Sequence, residues 1–420
     1  MTPFSTDAIT SDDTPGWLRE RRLAALERFG AASLPTTEDE VWRYSRIADL
    51  DLDAWRPAPV PDGGAVDLPD VGARSGFVVV VDGHVVASEV DPAAAAKGVR
   101  IGRLADLDPE GAALGAVRGA AESALGELHD AFAADPVLLD VPAGVVLEAP
   151  IVVVHDAVAD GAASFPHLVV RAGRDSEVTV YDEQRSADVA ALVVPVVEIE
   201  AGDAARVRYL GTQLLGPRVW QLGRQASRVG ADATFTTTTV ALGGEYARLT
   251  IDSTMAGRGG HGEMSAVWFG EGGQTHDFRT MQDHVAPHTT SNLVFKGAVQ
   301  DRSRSVYTGL IHIGKQAKGV SAFQTNRNVK LSADAWAESV PNLEIENNDV
   351  RCSHASAVGP VDEEQRFYLE SRGVEPAAAE RLIVLGFFEE VLARLPVPAV
   401  ADGLRREVAA KLDRREEQPS

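Results

Sequence analysis

The chain has 420 residues, 45% of them apolar, and 62 acidic against 40 basic side chains give it a net charge of −22. That length suits one large core plus appendages, or two to three domains. That charge disfavours nucleic acid and anionic membranes, whose recognition rests on Lys and Arg neutralising phosphates.

Apolar runs such as Phe77–Val81 are far short of the ~20 residues that cross a bilayer. Asp7, Asp12 and Asp13 near the N-terminus, with no basic residue ahead of an apolar run, do not read as a signal peptide. The expectation is a cytoplasmic chain with no membrane and no nucleic-acid partner. Cys352 is the single cysteine. No internal disulfide or CxxC motif is therefore possible, and an iron–sulfur cluster, which usually takes four mostly cysteine ligands, must be shared with another chain or be transient.

In chain order, the first ~60 residues read as helical, with Pro15 opening a helix, Leu23, Leu26 and Phe29 forming a stripe, and Gly30 ending it. An aromatic–basic cluster, Glu40 to Ser45, precedes a Pro-rich linker from Pro57 to Pro69. Phe77–Val81 and Val85-Val86 flank Asp82-Gly83 as a hairpin, and a helix is predicted over Ala113 to Ala134. From Val141 for some 200 residues, short β-rich runs alternate with Gly, Asp or Pro turns and helical spacing almost vanishes. The pattern fits either a sandwich or a solenoid of about eight coils, with Phe278, Phe295, Tyr307 and Phe323 as an internal aromatic row.

Past Asp349 the spacing turns helical again. Asp362 with Gln365 caps one helix, Gly373 ends it, and Pro376 opens another that Pro396 stops. That second helix carries an apolar face of Leu382, Leu385, Phe388, Val391, Leu392 and Leu395. Gly403 to Arg415 makes a third. The division expected is residues 1–140 as a mixed helical region, 141–350 as the β core and 351–420 as a helical domain.

Four constellations bear on chemistry. In Cys352-Ser353-His354 a thiol and an imidazole two residues apart share one face of an extended strand, and both suit iron. The alternative is a buried thiol packing as a small apolar group beside a surface histidine. His276, His284 and His288 lie at even separations and would bind metal only by converging; turn or interface roles are the alternative. Gly309 to Gln316 nearly matches the phosphate-binding loop, but Gln316 replaces its hydroxyl and no helix follows, so no bound nucleotide is expected. Glu344 with Glu346, and Asp362 to Glu364, read as ordinary strand and helix-start acids.

The segment Gln324-Thr325-Asn326-Arg327-Asn328-Val329-Lys330-Leu331-Ser332 resembles the Q-x-N-R-x-x-x-L-S stretch of the SufB/SufD family of iron–sulfur cluster assembly proteins. Pro341-Asn342-Leu343-Glu344-Ile345, with Asn348-Asp349-Val350-Arg351-Cys352-Ser353-His354, is similar to that family's P-x-L-E-I…D-D-V-x-C-x-H signature. Asp283-His284, Lys296-Gly297, Phe367 to Gly373 and Glu40 to Ser45 extend the likeness, and Ala355 departs from it where the family usually has Gly. Within the family the chain is more similar to SufD than to SufB, whose acceptor cysteine falls in the stretch matching Arg327-Asn328, where this chain has none.

The resemblance implies a mainly β fold, a right-handed parallel β-helix flanked by helical ends. It implies a non-catalytic scaffold that pairs with a SufB-type subunit or with its own copy, and that docks a SufC-type ATPase on Leu382, Leu385, Phe388, Val391 and Leu392. It further implies that His354, with Cys352 as a second candidate, ligates transient iron or a nascent cluster shared with SufB. The competing classes are a SufB-like role and a polysaccharide-active β-helix enzyme, the latter disfavoured by only 6% aromatic residues.

Overall fold

The computed structural model describes residues 3–9, 14–63, 67–121 and 123–416; Asp12 and Asp13 lie outside them. Two long sheets face each other. The first contains Val137–Val141, His167–Ala172, Val196–Ala201, Val219–Val229, Tyr246–Met255, Thr275–His284, Arg304–Ile313 and Trp336–Ile345. The second contains Ile151–Ala157, Glu177–Ser186, Arg206–Leu214, Thr234–Ala241, His261–Gly270, Thr290–Val299, Val320–Lys330 and Val350–Pro360. The chain alternates between them, and neighbours within each sheet are parallel: Asp277 pairs with Arg248 before it and Val306 after it, 29 residues each way. The solenoid is the correct choice, a β-helix of about eight coils.

Each coil must turn the same corner, and the same backbone device recurs there. Gly144, Asp175, Ala204, Asp232, Gly259, His288 and Gly319 all hold positive φ, a region that Gly, Asp and His enter more readily than most residues. Their N–H groups donate to carbonyls of the next coil at 2.7 to 3.2 Å, so the corners form their own ladder. Alternation along the strands then sends one set of side chains into the lumen and the other outward. Early coils fill the lumen with Val153, Val170, Val180, Ile199 and Val207. Later ones use Trp268, Phe278, Phe295 and Tyr307, with successive ring centroids 4.8, 5.9 and 4.8 Å apart. Phe323 does not join this stack. It falls between inward Ala322 and Gln324 and is therefore 43% exposed.

Among the described residues, seven α-helices surround this core: α1 Gly16–Ala31, α2 Pro92–Ala96, α3 Leu104–Leu107, α4 Ala124–Phe132, α5 Glu363–Ser371, α6 Pro376–Leu392 and α7 Pro398–Glu416. The antiparallel hairpin Gly76–Val81/His84–Val90 adds to the second sheet, and Arg100–Arg103 lies antiparallel on Val137–Val141, so both sheets are covered at the N-terminal end. The helix predicted over Ala113 to Ala134 is shorter. Gly115 and Gly119 both take positive φ, and Ser123 caps a helix that begins at Ala124. At the other end the sheet continues through Pro360, ten residues beyond the expected boundary, because the Ser- and Ala-rich run 353–357 pairs with Phe323–Arg327 as a strand.

α1 packs on α4 against the outer face of the first sheet at Leu192, Val194, Trp220 and Leu222. α6 and α7 lie on the outer face of the second sheet, where Phe388, Val391 and Leu392 bury against Val267, Phe269 and Ala298. Burying such side chains contributes about 1.5–3 kcal/mol each. The Lys296 ammonium fixes the seam by donating to the Phe387 carbonyl at 2.9 Å and pairing with Glu390.

Candidate functional site

The last coil is built from Trp336–Ile345 and Val350–Pro360, each with a partner on one side only. Register settles which way their side chains point. Cys352 lies opposite Ala322 and His354 opposite Gln324, both buried lumen positions. Cys352 and His354 therefore continue the lumen columns on the terminal strand of the second sheet. Ser356 and Ser339 complete the mouth, where the Ser356 hydroxyl donates across the two sheets to that of Ser339 at 2.6 Å. Cys352 is half-buried against Val320, Ala322, Ile311 and Ile313, and that burial pushes its thiol up. It is thus held as a thiol, not a poised thiolate. His354 is exposed.

Directly beneath His354 sits Gln324, 2% exposed, with neither amide Oε1 nor Nε2 hydrogen-bonded among the described residues. Around it the polar groups are better served. The Trp268 indole donates to Ser305 at 2.9 Å, Ser305 to Asn328 at 3.3 Å, and Asn328 to Asn326 at 2.8 Å. An orphaned buried amide costs about 1–3 kcal/mol. Sequence reasoning missed Gln324, although Gln324, Asn326 and Asn328 put polar residues at the strand positions that elsewhere face an apolar lumen.

An imidazole nitrogen and a thiol sulfur suit iron in kind. In number they fall short of the four ligands of a cluster.

The remaining candidates do not assemble. His276 and His284 are buried in one strand, whereas His288 is a corner residue with φ 58°. His284 is satisfied by Thr289 at 2.7 Å and Ser291 at 2.9 Å. Burial pushes His276 down to about 3 and His284 to about 4, so both are neutral. Leu310 to Ile313 belong to the strand Arg304–Ile313, and a turn follows Gly314 in place of the helix a phosphate loop needs. Glu344 and Glu346 are exposed.

The expected ATPase-docking face needs correction. Phe388, Val391 and Leu392 are covered by the chain's own second sheet, and Leu385 packs against the same cluster. Leu382 alone of the five is exposed, as are Phe367 and Tyr368 of α5.

Among the described residues, His129, Asp130 and His167 form the one group with convergent metal-type donors. Their atoms are already spent. His129 Nδ1 donates to the Val194 carbonyl at 2.8 Å, leaving Nε2 to accept from His167 Nδ1 at 3.0 Å. His167 Nε2 donates to Glu198 at 2.9 Å, and Asp130 pairs with Arg118 at 2.6 Å. Glu198 also accepts from the backbone of Gly115, Val117 and Arg118 at 2.8 to 2.9 Å. Burial works against the Glu198 charge, yet His167 and these N–H groups outweigh it and hold the carboxyl at about 2. This cluster clamps α4 and the 113–119 turns to the solenoid.

The molecule is thus a two-sheet β-helix that places a thiol and an imidazole on the inward columns of its last coil. Residues 154–387, more than half of the chain, match the family described as SUF system FeS cluster assembly, SufBD core domain, and the chain belongs to that family. It is 37% identical over 262 residues to an iron–sulfur cluster assembly SufBD family protein of Mycobacterium tuberculosis, covering 60% of this chain and 65% of that one. It therefore spans less than two-thirds of that relative. It is 28% identical over 298 residues to the iron–sulfur cluster assembly protein SufD of Bacillus subtilis, covering 70% and 67%. A SufBD family protein of Staphylococcus epidermidis is 24% identical over 413 residues, covering 93% and 89%.

Proposed function

We propose that this chain is a SufD-type scaffold subunit whose open solenoid end joins a SufB-type chain, with iron or a nascent cluster held as cargo at the junction. The observation that carries this reading is the position of His354 and Cys352 on the final lumen columns, where a second chain is needed to complete their ligand set. The edge itself supports it. The strand Val350–Pro360 has an unpaired side with no proline before Pro360, whereas exposed edges are ordinarily blunted by Pro, Lys or bulges. The SufD assignment rests on the likeness to the Bacillus subtilis protein and on the missing cysteine at Arg327-Asn328. A homodimer through the same self-complementary edge is the second reading.

A SufC-type ATPase would then dock on the exposed Phe367, Tyr368 and Leu382 surface of α5 and α6, supplying the nucleotide hydrolysis that this chain leaves to its partner. The site of work is the cytoplasm. Co-expression with SufB-type and SufC-type chains, followed by mass measurement, should yield a mixed complex. His354→Ala should leave that complex intact while abolishing cluster formation, and Leu382→Asp should release the ATPase. Normal cluster formation by His354→Ala would remove the site.

A further inference from the structure

On its outer face, from the strand Val196–Ala201 to the last strand Trp336–Ile345, the first sheet carries a groove of about 720 Å³ between the sheet, the start of α4 and the segment Glu40–Tyr44. In a chain with 22 excess negative charges, its walls carry Arg43, Arg118, Arg224, Arg248 and Arg279. Three of these are neutralised. Arg118 pairs with Asp130 at 2.6 Å, Arg224 with Asp252 at 3.0 Å, and Arg248 with Asp277.

The other two are not. Arg279 donates through Nη1 to the carbonyls of Val41 and Glu40, and has no carboxylate within ion-pairing distance among the described residues. Arg248 donates to the same Val41 carbonyl at 2.6 Å, so two guanidinium groups crowd one neutral oxygen. Burial and the Arg248 charge push Arg279 below its ordinary range, only partly offset by Asp277 and Glu40. Arg43 lies over the Tyr44 ring, 5.9 Å from its centroid, and forms no ion pair among the described residues. A desolvated guanidinium beside a like charge is unfavourable unless an anion joins it.

We propose that this groove binds a small organic oxyanion, a phosphorylated or polycarboxylate metabolite, with its charged group on Arg279 and Arg43. Planar guanidinium forks match both phosphate and carboxylate geometry. The cavity exceeds a bare phosphate and falls in the ~300–1,000 Å³ range of small-molecule sites. Trp42, Met281 and Leu310 offer an apolar wall for the rest of the ligand, while the acids Glu40 and Glu344 stand exposed at its rim. Trp42 itself is braced from behind, with the Arg248 guanidinium 3.9 Å from its ring centroid. The inference does not depend on the cluster site or on any partner.

Titration calorimetry of the full chain with inorganic pyrophosphate and with citrate, at constant ionic strength set by chloride, tests it. Saturable binding of at least one probe is expected, accompanied by quenching of tryptophan fluorescence as the ligand seats on Trp42. Preference for pyrophosphate identifies a phosphorylated ligand, and preference for citrate a polycarboxylate. Arg279→Gln should weaken binding about tenfold or more, the loss of one charge-assisted contact pair. Arg43→Gln, at an exposed position that folding does not need, should weaken it in the same direction. Absence of binding by both probes overturns the proposal, as does unchanged affinity in both variants.

Discussion

The two ends of the solenoid are made of the same strands and corners but finished in opposite ways. At the N-terminal end the lumen is aliphatic, and antiparallel strands with α2 cover both sheets. At the C-terminal end the lumen turns from aromatic to amide side chains and stops at two strands with a bare edge. Apolar burial gives stability regardless of partner, whereas buried amides and open edges gain only when something completes them. The closed end therefore holds the fold, and the open end, where His354 and Cys352 lie, contributes less to it.

The largest effect expected from that contrast is in the closed lumen. Ile199→Ala removes a fully buried side chain from the aliphatic column and should destabilise by about 2–5 kcal/mol. Leu343→Ala, on the half-exposed final coil, should cost less than about 1.5 kcal/mol, because water fills the space. Urea denaturation of the two variants measures the difference. Equal losses would mean that the ends do not differ in kind.

Acid should separate the ends in the other direction. Burial lowers His276 to about 3 and His284 to about 4, both in the later coils, and His129 to about 3 at the α4 clamp. In the unfolded chain these groups take a proton below pH ~6.5. Unfolding therefore takes up protons, and stability is lost as pH falls from about 6.5 toward 4, by at most about 1.4 kcal/mol per pH unit for each histidine. Glu198 adds to the same trend lower down, since its contribution is present above its unfolded value and lost as pH falls toward about 2. Hydrogen exchange at pH 7 and pH 5 should show the coils around His276 and His284 opening before the closed-end strand Val137–Val141, which carries no histidine. Simultaneous opening would break the comparison.

Much of this architecture was legible in the residues. Short β-rich runs without helical spacing require a layered or coiled β fold, and Asp and Gly recur where each coil needs a left-handed corner. The Asp362 cap and the break at Gly373 also read correctly. What spacing could not convey is which surface an apolar stripe meets. Phe388, Val391 and Leu392 demand burial, and a partner or the chain's own sheet satisfies that demand equally. Nor does a strand position declare itself inward or outward until its neighbours in the ladder are known, which is why Phe323 looked like part of a stack and Gln324 was passed over. The arginine groove unites residues from 43 to 279, a separation no local pattern spans.

The smallest stability effect is the most discriminating. Gln324→Leu replaces an amide that finds no partner in the lumen with an apolar group of similar size, so stability should be unchanged or rise by up to about 1 kcal/mol. Were the amide only a packing element, cluster formation with a partner chain would survive the change. If it is held unsatisfied beneath His354 to serve cargo or to position the imidazole, the variant should be as stable as the parent and impaired in cluster formation. A destabilised Gln324→Leu would instead show that the amide is already satisfied, by water or by a partner, and that the open end costs the fold less than its buried polar groups imply.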